Sequence, residues 1–244
     1  MNLSIVIPCY NEAENIPLII KRLESSFQNL ENVEVLLVNN GSTDNSDEIF
    51  KKELSGKKKD SFRLVKIDVN QGYGFGILTG LKEATGDILS WTHADLQTDP
   101  FDVVKAYREF LNKNNKNVLF KGKRKNRRAL EWFFTWGMQM VAWLALGVYL
   151  DDINAQPKLF TRDFYMKYIR ENAPLDFSLD LYTLYQARQF CDEIVELPVY
   201  FEKRRFGEAK GGGSWKTRIK LIRRTLSYIF ELRNKMNKVT KNNI

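Results

Sequence analysis

The stretch Ser90-Trp91-Thr92-His93-Ala94-Asp95-Leu96-Gln97-Thr98-Asp99-Pro100 holds the single histidine of the chain, two positions before an aspartate and directly after an apolar run. An imidazole and carboxylates displayed at a strand's end are ionisable groups placed where a ligand can reach them. Asn70-Gln71-Gly72-Tyr73-Gly74-Phe75-Gly76 is a second such place. Its glycines let a backbone approach a diphosphate, although they do not keep the GxGxxG spacing of a dinucleotide site. In Asn40-Gly41-Ser42-Thr43-Asp44, Gly41 permits positive φ, and Ser42 or Asp44 can cap a following helix. A fourth polar segment runs from Pro8 to Asn15.

Each of these segments follows an apolar burst of strand length: Leu3 to Pro8, Val33 to Asn39, Phe62 to Asp68, and Asp87 to Thr92, with a weaker one at Val118 to Gly122. The bursts are continuous rather than alternating and are separated by helix-like stretches. That pattern predicts an α/β protein with a mostly parallel sheet covered on both faces. Ligands of such sheets bind outside the carboxyl ends of the strands, so four polar segments are expected on one rim.

The 244 residues suffice for a sizeable core, and 43% hydrophobic with 28% charged residues reads as globular rather than disordered. A net charge of +8 favours anionic partners: nucleotides, nucleic acid or an anionic bilayer surface. Cys9 and Cys191 have no metal-site or redox-pair neighbours and read as reduced core thiols, which suits a cytosolic chain. The first residues lack the basic region and apolar length of a signal peptide.

Past residue 122 the character changes. A basic run from Lys121 to Arg128 precedes Leu130 to Leu150, which is nearly all apolar, contains three tryptophans, and carries Glu131, Thr135 and Gln139 on one narrow helical stripe. A helix over about 130–150 lying in a membrane interface is the favoured reading. A bilayer span, or a buried core or dimer helix and hence a homo-oligomer, are the others. From Ser214 onward, Trp215, Ile219, Ile222, Leu226 and Ile229 recur at helical spacing among Lys216, Lys220, Arg223 and Arg224. A helix docked on the domain explains that pattern, as does a second interface helix on anionic lipid.

Taken in order, Ile5-Val6-Ile7-Pro8-Cys9-Tyr10-Asn11-Glu12, Leu37-Val38-Asn39-Asn40-Gly41-Ser42-Thr43-Asp44, Asn70-Gln71-Gly72, and Gly86-Asp87 running into Ala94-Asp95-Leu96-Gln97 resemble the family 2 glycosyltransferases of GT-A fold. The branch they look most like is the dolichol-phosphate and polyprenyl-phosphate mannose or glucose synthases. Asp152 to Phe160, Glu196-Leu197-Pro198-Val199 and Arg204 to Lys210 agree with it. The resemblance implies a catalytic domain over 1–210, Rossmann-like, followed by a basic amphipathic helix and tail over 211–244.

It further implies transfer of a sugar, with inversion, from a nucleoside-diphosphate sugar to a polyprenyl phosphate. The alternatives are a hydroxyl of a lipid-linked saccharide, as in polysaccharide synthesis, or a nucleotide-sugar-binding surface protein without turnover. No nucleic acid is expected as partner. The setting would be the cytoplasmic face of a membrane, bound peripherally or monotopically. With no bilayer spans expected downstream, a transporter or polymerising synthase is not.

By resemblance, Pro8, Tyr10, Asn11 and Glu12 line the nucleotide pocket, with Asn39 or Asn40 beside the base and Gln71 and Ala94 nearby. Arg124, Lys158, Arg205 and Lys210 would meet phosphate, Arg204 would serve catalysis, and Asp180 lies where many members place an acidic base. Mg²⁺ or Mn²⁺ would be held by Asp95 and Gln97, which an extended backbone would aim the same way. Members commonly carry Asp-Asp where this chain has Asn39-Asn40, and Asp-x-Asp where it has His93-Ala94-Asp95. His93 either binds the cation through a neutral imidazole, contacts phosphate or sugar or contributes only a backbone group while Asp95 and Gln97 hold the metal, or marks a degenerate site.

Overall fold

The computed structural model describes residues 1–28, 30–56, 61–126, 129–202, 204, 206 and 215–242. Seven strands form one sheet: β1 (Leu3–Cys9), β2 (Val33–Asn40), β3 (Phe62–Ile67), β4 (Ile88–Trp91), β5 (Val118–Arg124), β6 (Lys158–Thr161) and β7 (Glu193–Val199). Between them run α1 (Ile16–Phe27), α2 (Ser46–Leu54), α3 (Tyr73–Glu83), α4 (Phe101–Asn112), α5 (Ala129–Leu146), the short α6 (Arg162–Phe164) and α7 (Leu179–Phe190). The α6 turn continues as a π-helical turn over Tyr165–Ile169, and α8 (Trp215–Asn242) follows β7.

The strand order is β3-β2-β1-β4-β6-β5-β7, with β6 antiparallel to both its neighbours and every other pairing parallel. This is the expected mostly parallel α/β sheet. The apolar bursts are continuous because both faces are covered. Leu3, Ile5 and Ile7 point into a core with α1, α2 and α4, whereas Val6, Leu36 and Val38 point into another with α3, α5, α7 and α8. Cys9 and Cys191 are both free; burial pushes the Cys191 thiol up to about 12 and raises Cys9 as well.

The chain runs outward from β1 through β2 to β3, then returns to place β4 on the other side of β1. Strand order therefore reverses between β1 and β4, and the crevice beyond their carboxyl ends is where a sheet of this kind takes its ligand. β6 enters antiparallel, with Lys158 opposite Trp91, so the segment before β6 reaches the same rim.

α5 is attached to that rim at both ends, leaving after β5 and returning through residues 147–157 to β6. Its Ala142 and Leu146 are buried with Tyr228, Ile229 and Leu232 of α8, while Trp136, Trp143, Leu144 and Tyr149 stay exposed. Of the sequence's polar stripe only Gln139 has a described side chain; it is buried and bonded to Asp151 and Tyr149. Among the described residues, no helix is long and apolar enough to cross a membrane.

Candidate active site

At the β1 end the backbone turns through Asn11, whose φ is 53°. An asparagine tolerates this left-handed conformation, and here its side chain bonds the neighbouring loop. Asn11 Oδ1 accepts from the Thr43 N–H at 2.8 Å, and its own N–H donates to Ser42 Oγ at 3.0 Å. Gly41 holds the next loop close in turn: at φ +66°, a Cβ there would stand 2.3 Å from the Asn70 nitrogen. Three strand ends are thus fastened together, with Pro8 and Tyr10 half-buried beside them and Gln71 exposed.

The departure from Asp-Asp at positions 39 and 40 has a local cause. Asn39 Nδ2 donates to the Asp47 carboxylate, and Asn40 Nδ2 donates to the Gly72 carbonyl at 2.9 Å. A carboxylate at either place would set acceptor against acceptor. Asn40 Oδ1 is buried without a hydrogen-bond partner among the described residues and remains an acceptor.

Across the switch point, Arg204 joins the two central strand ends. One guanidinium nitrogen donates to Glu12, another lies 3.7 Å from Asp95 Oδ2, and Nε donates to the Phe206 carbonyl at 2.8 Å. All three charged side chains are mostly but not wholly covered, at 9% to 12% exposure. Arg204 is held there by a cross-link further along: the Glu202 N–H donates to the Gln97 carbonyl at 2.8 Å, and Gln97 Nε2 donates to the Glu202 carbonyl at 3.1 Å.

The extended backbone expected at Asp95-Leu96-Gln97 is replaced by a bend. Leu96 sits at φ 57°, and the Gln97 N–H donates to Asp95 Oδ1 at 3.1 Å. The aspartate thus caps its own turn, a local bond that competes with extended structure. Asp95 and Gln97 consequently do not project side by side, and Gln97 spends its amide nitrogen on Glu202. Ala94 is buried. His93 precedes the bend and is half-buried, its ring centroid 5.8 Å from that of Tyr73, which stacks on Phe177 at 4.8 Å and 7°.

Among the described residues, no three His, Cys, Asp or Glu side chains are grouped closely enough to hold a cation alone. One carboxylate at a polar rim fits a hard divalent ion bound jointly by protein, water and substrate phosphates, since such ions commonly keep several non-protein ligands. The residues present therefore fit a cation that arrives with a diphosphate.

Two basic residues expected to meet phosphate are occupied elsewhere. Lys158 is fully buried, and its Nζ donates to Asp180 Oδ1 at 2.6 Å and to the carbonyls of Ile153 and Ala155 at 2.8 and 3.2 Å. Burial lowers its pKa, and the Asp180 charge opposes that shift. Arg124 is forked onto Asp152 and lies over the Phe201 ring, 5.5 Å from its centroid. Asp180, expected where members place an acidic base, is instead 3% exposed, paired with Lys158 and bonded by Gln156 Nε2 at 2.8 Å. These reversals share one cause: the segment before β6 folds back under the rim, which sequence spacing does not reveal. Arg205 and Lys210 lie outside the described residues.

Sequence reasoning passed over Tyr73, Phe177 and Gln156. The Tyr73 hydroxyl accepts from Gln156 Nε2 at 3.2 Å; burial, then Asp180, holds its pKa well above the ordinary tyrosine value. An aromatic at the first turn of a glycine-rich helix was the available signal.

The family model described as glycosyl transferase family 2 matches residues 4–173. Among solved structures, glucosyl-3-phosphoglycerate synthase from Mycobacterium tuberculosis, in complex with uridine diphosphate, superposes with a TM-score of 0.72 at 17% identity, covering 96% of this chain and 80% of that one. The mannosyltransferase PcManGT from Pyrobaculum calidifontis, in complex with GDP-Man and Mn²⁺, gives 0.61 at 17% identity over 87% of this chain and 58% of its own. S. aureus TarS 1-349 gives 0.58 at 18% identity, covering 82% and 60%.

Proposed function

Since the chain belongs to glycosyl transferase family 2, and so is a nucleotide-sugar glycosyltransferase, we propose that it transfers a hexosyl group, with inversion, to a polyprenyl phosphate. The observation that carries the acceptor is the state of the carboxylates around the crevice. Glu12 and Asp95 face Arg204, Asp152 is forked by Arg124, and Asp180 is buried against Lys158. Asp152 and Asp180 are withdrawn by burial, and Asp95 is committed to the cation in this reading, which leaves only Glu12, bound to Arg204, near a sugar hydroxyl. A phosphate acceptor is already ionised near neutral pH and needs no strong base.

In this reading the diphosphate of the donor enters the β1/β4 crevice. Pro8, Tyr10, Asn11 and Glu12 line the nucleotide side, with Asn39, Asn40, Gln71 and Ala94 around it. A synthase and a mannosyltransferase of the same fold were solved with Mn²⁺ and a nucleotide or nucleotide sugar. Here Asp95 would be the carboxylate that holds Mg²⁺ or Mn²⁺, with His93 and Gln97 flanking it in sequence. When bound, that cation would neutralise charge on the departing nucleoside diphosphate.

Arg204 supplies a second positive charge at the same place and orients the leaving group. A phosphate oxygen of the acceptor forms the new bond to the anomeric carbon as the bond to the diphosphate oxygen breaks. The electron pair leaves with the diphosphate, and no proton is transferred. Asp180 serves as a structural anchor rather than a base.

The lipid chain is accommodated by the surface beside the rim. Trp136, Trp143, Leu144 and Tyr149 are exposed on or just after α5, and Ile219 and Phe230 on the helix packed against it. Tryptophan and tyrosine suit a bilayer interface, and the +8 chain suits an anionic one. The protein then works peripherally on the cytoplasmic face.

Purified protein incubated with a panel of nucleotide sugars, Mg²⁺ or Mn²⁺, and either short polyprenyl phosphates or lipid-linked saccharides tests this. Release of nucleotide together with a sugar-phosphate lipid is expected. Transfer to saccharide hydroxyls alone would overturn the phosphate acceptor.

A further inference from the structure

We propose that Tyr73 is a positioning residue, whose ring, anchored from below through its hydroxyl, holds the His93 imidazole in place beside the donor crevice. The proposal rests on the reading of His93 and Asp95 as part of the donor site. Tyr73 opens α3 directly after Gly72, and its ring meets two others: Phe177 stacks on it at 4.8 Å and 7°, and His93 lies tilted against it, 5.8 Å away at 32°. Its hydroxyl takes a hydrogen bond from Gln156 Nε2 at 3.2 Å.

Gln156 is itself 1% exposed, and the same nitrogen donates to Asp180 Oδ1 at 2.8 Å. Asp180 is locked by Lys158, whose remaining hydrogen bonds go to backbone carbonyls. The buried ion pair thus has a function at the rim without touching it. Charge and hydrogen bonds fix Gln156, Gln156 fixes the phenol, and the flat ring limits the rotamers open to His93. Stacked aromatic pairs hold a defined geometry, which a rotatable aliphatic side chain would not.

The chain has one histidine, so its imidazole is a unique spectroscopic reporter. In metal-free and substrate-free protein labelled at histidine with ¹³C and ¹⁵N, the ring signals of His93 should be displaced by the Tyr73 ring current. Tyr73→Phe keeps the ring but cuts its anchor, and should broaden or move those signals. Tyr73→Leu should return them towards the position of a solvent-exposed histidine.

In the transfer assay, Tyr73→Phe should lower kcat by about 10- to 100-fold, the range expected for a displaced positioning group. The same change made in a His93→Ala background should have little further effect. Wild-type His93 signals in Tyr73→Phe would overturn the proposal, as would losses that simply multiply in the double variant. Failure of the proposed acceptor would show instead as absent transfer to polyprenyl phosphate by the unmodified protein, with the His93 signals still reporting on Tyr73.

Discussion

At the ends of β1 and β4, Glu12, Arg204 and Asp95 bring their charges together with side chains 9% to 12% exposed. Beneath the same rim, Lys158 and Asp180 form a pair with side chains 0% and 4% exposed. Both clusters join a basic residue to carboxylates contributed by distant segments, and both match positions expected to serve the reaction. They differ in access. The first borders a crevice, and in the proposed reaction its ions would exchange one another for a diphosphate and a cation; the second has lost its water and can only hold what surrounds it. A charged residue at a family position therefore identifies a place in the fold, and burial decides whether it acts on ligand or on structure.

The sharpest break between the two clusters comes from removing one member of each. Asp95→Ala should reduce transfer by about a thousandfold or more, the several kcal/mol that a bound cation supplies, with the unfolding midpoint little changed. Full activity in that variant, or in protein treated with chelator, would end its assignment as the cation's carboxylate.

Lys158→Met should do the reverse. It leaves Asp180 buried and uncompensated, which costs about 3–5 kcal/mol of stability in denaturant unfolding. Adding Asp180→Leu should restore much of that loss, since a well-packed apolar pair avoids the desolvation of both ions. A Lys158→Met protein as stable as the original would mean that the pair is open to water.

Arg204→Ala sharpens the contrast from the rim side. It should cost less stability than Lys158→Met, since Glu12 and Asp95 keep 9% to 12% of their side-chain surface in water, while lowering transfer through the lost charge at the diphosphate. His93→Asp should have a milder effect still: transfer persists and the preference moves from Mn²⁺ towards Mg²⁺, because a carboxylate oxygen replaces an imidazole nitrogen. Rates compared in the two metals would reveal the shift.

The smallest effect concerns a carboxylate at the opposite end of the sheet. Burial raises the Glu34 pKa, but hydrogen bonds from Ser4, Thr85 and Arg63 outweigh it and leave the group below its ordinary 4.5. A depressed carboxylate contributes stability that is present above pH 4.5 and is lost as pH falls through the folded-state value. Glu34→Gln should therefore be less stable than the original at neutral pH and show a shallower acid limb. Identical acid limbs would remove Glu34 from the set of paired carboxylates.

Much of the fold was legible in the residues. Val6, Leu36 and Val38 face one core and Leu3, Ile5 and Ile7 the other, so the bursts read as strands covered on both sides. Asp95 and Glu12 were legible as rim residues because strand ends in such sheets gather there. The bend at Leu96 was not, since it depends on an aspartate capping its own turn. Nor was the withdrawal of Lys158, which is a strand residue opposite Trp91 and whose side-chain direction follows from the antiparallel entry of β6.

The sequence by itself determined the class of sheet, the family and the set of polar segments at its rim. Periodicity and local turn chemistry are properties of neighbouring residues and need no third dimension. Tertiary structure alone decided which of the charged residues meet water. Exposure depends on segments more than twenty residues apart, as where Asp180 closes on Lys158, and the energy of a charge is set by that exposure rather than by its neighbours in the chain. The pairing of Arg204 with Glu12, and the contacts of Tyr73 with Phe177 and His93, belong to the same category.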